Sequence, residues 1–212
     1  MPPVMFAFSV FALPLAYLSV SAWFFVRRRE EALARNYFFG IVLGLPCVLV
    51  HLLLYGIMPD TPGSYLLALR IWWERFLLPF ALAIGAYRIL STYEDAVRSD
   101  AALRRFMAFL FGCFTVLETA SVIRYAAAPS PYVLFFHPLL AISGILAAVY
   151  FLERSVTEAG IYAALWTAAA VLASFTFTFA AYLFEIRLEW LGGILSLVLL
   201  GAAAYKVRFL TR

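Results

Sequence analysis

Apolar residues run in seven long blocks, about 4–26, 37–58, 65–90, 106–127, 132–152, 160–184 and 188–208, and most polar and turn residues lie between them. Each block is close to the roughly 20 residues that a helix needs to cross a bilayer. The pattern predicts an all-α, polytopic membrane protein of seven spans, forming one transmembrane domain over residues 1–212. The division between the last two blocks rests on FEIRLEW alone, and a six-span count that joins them is the main competitor. Ser174–Phe179, SFTFTF, alternates as a strand would. Within a span it must still be helical, because an open strand leaves backbone groups unpaired in lipid. Ser174 and Thr178 then share a face and bond to a neighbouring helix or to their own backbone.

Composition sharpens this picture. Of the 212 residues 66% are hydrophobic and 13% charged, against roughly 45–50% and about 25% in soluble domains. A soluble chain of this length cannot hide so much apolar surface. The net charge of +4 does not point to nucleic acid, because the basic residues sit in short segments between the blocks. Twelve of the sixteen fall on one side: Arg27, Arg28, Arg29, Arg35, Arg88, Arg98, Arg104, Arg105, Arg154, Lys206, Arg208 and Arg212. Positive residues mark the cytoplasmic side, so the expected threading has the N-terminus outside and the C-terminus inside. The first block lacks a preceding positive region and is followed by RRR, which predicts a retained first span. The expected location is the cell inner membrane of a bacterial-type cell, with the lipid bilayer as first partner.

Pro14, Pro46, Pro79 and Pro138 fall inside spans and predict kinks. Gly40 and Gly44 form a GxxxG that lets backbones approach, within the bundle or at the face of a homo-oligomer or partner membrane subunit. Trp23, Trp190, Tyr37, Tyr65 and Tyr132 are placed as an interfacial belt. Cys47 and Cys113, the two cysteines, lie in apolar blocks and read as small core residues.

The candidate chemistry lies in LRIWWERFLLPF, Leu69–Phe80, an apolar stretch that holds Arg70, Glu74 and Arg75. By helical rise, Arg70 and His137 lie about 8 Å, His51 about 10 Å, and Glu74 and Glu118 about 13 Å from the outer end of their spans. Arg124 stands above Glu118. Glu185, Arg187 and Glu189 sit at the external mouth between the last two spans. A lone charge in hydrocarbon costs about 3 kcal/mol or more, so these groups should pair. Arg70 and Glu74 are four apart on one face. Arg75 points elsewhere, and Glu118 is its expected partner. The plain reading is a structural ion-pair network that fixes helix register. The functional reading is an external vestibule lined by His51, Arg70, Glu74, Arg75, Glu118, Arg124 and His137, or an ion or proton path through them.

Seven spans with an external N-terminus resemble rhodopsins in outline, and Arg70 to Pro79 is similar to their third helix. That resemblance implies a retinal-bearing lysine midway along the last span. The only lysine, Lys206, is at its inner end, which excludes retinal. The outline is also similar to the seven-helix sensor modules of bacterial receptor kinases, in helix count and charge pattern only. The chain carries no GxSxG, HExxH, P-loop or CxxC, so the reading leans against an enzyme. Two histidines without a third ligand assign no metal, and no cofactor is assigned. The expected function is binding or movement of a small polar or anionic solute or ion, alone or within a membrane complex. The alternative is a membrane sensor that signals to a separate partner.

Overall fold

The computed structural model describes residues 31–54, 64–91, 100–124, 135–158 and 160–210. These residues are helical apart from turns, with no strand among them. In chain order the α-helices are α1 (Glu31–Leu54), α2 (Ser64–Ile71), α3 (Leu78–Ser91), α4 (Asp100–Arg124), α5 (His137–Thr157), α6 (Ile161–Glu185) and α7 (Glu189–Leu210). A π-helical segment, Trp72–Leu77, joins α2 to α3. The expected 4–26 span, with Pro14 and Trp23, lies outside the described residues, as does Tyr132.

Three stretches, Leu33–Leu54, His137–Ser155 and Ile161–Glu185, are long and apolar enough to cross a membrane. The distribution of polarity fits lipid. Phe38, Val42, Leu45, Leu49 and Leu53 of α1 recur at helical spacing and are 59–82% exposed. In water such a stripe would be a large aggregation-prone patch. The buried positions, by contrast, include Asn36, Thr115, Ser143, Thr178 and Ser196. Several of these hydroxyls are satisfied inside their own helix: Thr115 donates to Phe111 O, Ser143 to Leu139 O, Thr178 to Ser174 O and Ser196 to Gly192 O. Each therefore enters an apolar interior without leaving an unpaired polar atom.

The chain divides into two compact units, Met1–Leu54 with Pro79–Pro138, and Tyr55–Leu78 with Leu139–Arg212. In the first, α4 is the core. Phe106 to Thr115 are all buried, apart from Gly112 every one with a side chain of its own. α1 packs on α4 through glycines. A Cβ added at Gly40 would fall on Phe109 O, and one at Gly112 on Tyr37 O; at Gly44 it would lie 3.2 Å from Cys113 O. Contacts advance together along both helices, so α1 and α4 run parallel. α3 runs against α4, with Phe80 on Phe114 (4.6 Å between centroids) and Tyr87 on Phe106 (4.7 Å). Tyr37, expected at the interface, is instead buried and shares a 3.1 Å hydrogen bond with the Thr115 hydroxyl. The close approach of α1 to α4 draws its ring inward.

In the second unit, α5 and α6 run in opposite senses, with Tyr150 and Phe151 both near Trp166. Lys206 of α7 reaches the same Tyr150 ring. α6 and α7 are separate helices joined by a tight reversal. Leu188 N–H donates to Leu183 O and Arg187 N–H to Phe184 O, which is the Schellman pattern. Arg187 occupies its left-handed position, at φ +63°. The α2 and π segments meet α6 with Trp72 on Phe175, Phe76 on Phe177 and Arg75 on Glu185. The helical run Ser64–Ser91 holds its π segment just ahead of Pro79, which has no N–H. Leu78 N–H bonds five residues back, to Trp73 O, and the widened turn eases the proline ring past the preceding carbonyls.

Candidate ion-pair sites

Among the described candidate residues of the first unit, Glu118 and His137 form a pair. Glu118 sits six residues before the end of α4, and His137 is the first residue of α5. His137 Nδ1 and Glu118 Oε2 are 2.6 Å apart, and their side chains are 13% and 6% exposed. An ionised carboxylate only accepts, so against it the imidazole Nδ1 is the donor. Leu117, Phe114 and Leu140 nearby in sequence are all buried. A short bond between an acid and an imidazole, held among apolar side chains, is an arrangement that can pass a proton from one side chain to the other.

In the second unit two pairs involve the candidate residues, apart from a looser 4.0 Å contact between Arg154 and Glu153. Arg70 Nε donates to Glu74 Oε1 at 3.1 Å, as the spacing predicts, and Glu74 is buried. Arg75 donates from an Nη to Glu185 Oε1 at 2.7 Å. The sequence reading matched Arg75 to Glu118; in the structure Arg75 meets Glu185, and Glu118 meets His137. Direction along the chain explains this: the π segment carries Arg75 toward the C-terminal end of α6. Between the pairs, Trp72 Nε1 donates to Ser174 Oγ at 2.7 Å, and that hydroxyl donates to Val171 O. Trp72 also stacks on Phe175, at 4.6 Å and 13° between planes. The two pairs differ in exposure. Glu74 is covered, Arg75 is 15% exposed and Glu185 38% exposed.

The remaining candidates are placed less completely. His51 is half-buried in the last turn of α1. Arg124 closes α4, and its side chain lies outside the described residues. Among the described residues no group of three or more His, Cys, Asp or Glu is arranged to hold a metal. Sequence reasoning placed Glu185 at the external mouth without assigning it a partner, and it expected Ser174 to bond to a neighbouring helix or its own backbone, both of which occur, without naming Trp72. A hydroxyl in an apolar span needs a donor or acceptor, but which neighbour supplies it depends on the fold.

The chain matches no family model, no curated protein and no solved structure.

Proposed function

We propose that this chain is a multi-pass inner-membrane protein, of seven spans with the N-terminus outside and the C-terminus inside, that binds or moves a small polar or anionic solute or ion. The observation that carries the reading is the 2.6 Å bond between Glu118 and His137 inside an apolar helical unit. Intramembrane ionisable groups are costly, and where they are kept they commonly mark solute or proton paths. Glu118 and His137 form the proton-bearing couple. Arg70 and Arg75 supply positive charge that an anion can compete for, and Glu185 is the exposed carboxylate that such an anion displaces. Parallel α1 and α4 with antiparallel α3 support the threading, since one crossing between two spans makes those two parallel.

The test is solute flux in proteoliposomes across a panel of small anions and cations, with and without a pH gradient. The wild-type protein is expected to move at least one solute, and Glu118→Gln to reduce that flux at least tenfold while the purified protein keeps its Tm within a few degrees. Flux that is unchanged in Glu118→Gln contradicts the role of the couple. A wild type that moves nothing favours the sensor reading.

A further inference from the structure

Tyr150 is a point at which three helices of the second unit meet. Arg154 lies four residues after it, one turn further along the same face of α5, with its Cζ 5.8 Å from the ring centre. Lys206 comes from α7, and its Nζ is 5.9 Å from the same centre. Trp166 of α6 stands perpendicular to the ring, at 6.0 Å and 89°, and holds it in place. Two cations gathered on one ring repel each other, and a neutral aromatic offsets only part of that repulsion. Glu153 stands 4.0 Å from Arg154 Nε, beyond hydrogen-bond reach. Among the described residues Lys206 has no acidic partner. The Arg154 side chain is 42% exposed, and Lys206 is exposed as well, so an anion can approach both. Their level along the helices says what kind of anion. Arg154 is one residue from the end of the apolar stretch His137–Ser155, and α6 opens the next such stretch at Ile161. In a bilayer the ends of apolar stretches lie at the headgroups, where long basic side chains, Tyr and Trp collect. Beside this point Tyr162 and Leu165 of α6 are 60% and 57% exposed, an apolar surface for an acyl chain.

We propose that Arg154 and Lys206, gathered on Tyr150, hold the phosphate of an anionic phospholipid. The guanidinium offers a planar fork to two phosphate oxygens, and the ammonium acts as a point charge. The phosphate neutralises two cations that otherwise only repel, while an acyl chain lies along α6. Basic pockets between membrane helices recognise anionic headgroups in this way. A zwitterionic headgroup brings its own cation to the same place and is held less well. The site rests on the chain lying in a bilayer and does not depend on solute movement.

The experiment uses the full chain in detergent micelles, mixed with equal amounts of phosphatidylglycerol and phosphatidylcholine, and counts retained lipid by native mass spectrometry. The wild type is expected to retain phosphatidylglycerol over phosphatidylcholine by about fivefold or more, the scale of one basic residue near an anionic surface. Arg154→Gln combined with Lys206→Gln should bring the two lipids close to parity. Arg98→Gln combined with Arg212→Gln removes the same charge elsewhere and should keep the preference. A wild type without preference overturns the proposal, and so does a preference that both double variants reduce equally. Excess inorganic phosphate should leave the retained phosphatidylglycerol in place; phosphate that displaces it assigns the site to a soluble anion and overturns the lipid. Because the preference is read first on the wild type, a variant that fails to fold does not remove the test. Flux is not part of the readout, so failure here is distinct from failure of the transport reading.

Discussion

Glycine marks the tightest constraints at the scale of single residues. At Gly112 a methyl group would land on the Tyr37 carbonyl, and at Gly40 on that of Phe109. Backbone cannot yield as a flexible side chain can, so α1 and α4 must separate to admit it. Gly112→Ala is expected to destabilise by about 1–3 kcal/mol, the usual cost of overpacking, read as a fall in Tm of the purified protein. Gly85 and Gly201 have nothing within 4 Å of the same position, and Gly85→Ala should leave Tm unchanged or slightly raised. Equal losses at Gly112 and Gly85 would show that the glycine contact is not what joins these helices. The GxxxG pattern made this contact legible in kind, because small residues at that spacing commonly let helices approach in lipid. It did not give the partner: Gly112 stands alone in its helix, and only the fold shows that it answers Gly40. The ion pairs divide in the same way. Arg70 and Glu74 were legible because their spacing on one helix decides the contact. Arg75 with Glu185, and Glu118 with His137, were not, since each depends on which helices are neighbours and how they are turned.

Among the helical elements, the turn between α6 and α7 is the most informative. Arg187 adopts φ +63° at a position where glycine is the usual residue. The left-handed region costs a residue with a Cβ about 1–2 kcal/mol. Arg187→Gly is therefore expected to raise Tm, and Arg187→Val to lower it further than loss of the charge alone, as the control Arg187→Gln will show. A fall in Tm for Arg187→Gly would mean that the guanidinium contributes more than the strain costs. The sequence reading separated these two helices on a seven-residue connection with few turn residues, and the six-span alternative joined them. The structure makes the break between Glu185 and Glu189. The 65–90 block, read as one span, is helical throughout Ser64–Ser91, with the π segment Trp72–Leu77 between α2 and α3. Proline announced a kink, but the register change ahead of it depends on where freed carbonyls find donors, which no residue pattern states.

At the scale of the whole molecule, large apolar side chains of α1, α6 and α7 are exposed, while Glu74, Glu118, Asn36 and several hydroxyls are buried within a largely apolar interior. Composition alone made this legible, because 66% hydrophobic residues cannot be interior residues only. Charge bias predicts its orientation. In a background lacking Cys47 and Cys113, Ser99→Cys should react with an impermeant thiol reagent only from the cytoplasmic side, and Ile186→Cys only from outside. The reverse labelling, or labelling of both from one side, would refute the threading. The inside of the bundle is where function is proposed, and the claim beneath that proposal is that buried ionisable groups in lipid are energetically coupled to each other. A double-mutant cycle on Glu118 and His137 measures this most directly, using Glu118→Gln, His137→Gln and the double variant with unfolding followed in lipid micelles. Ordinary interhelical hydrogen bonds in membranes couple by about 0.6 kcal/mol. A buried acid–imidazole bond of 2.6 Å is expected to exceed that, at about 1 kcal/mol or more; additive losses, with no coupling between the two positions, would contradict the account.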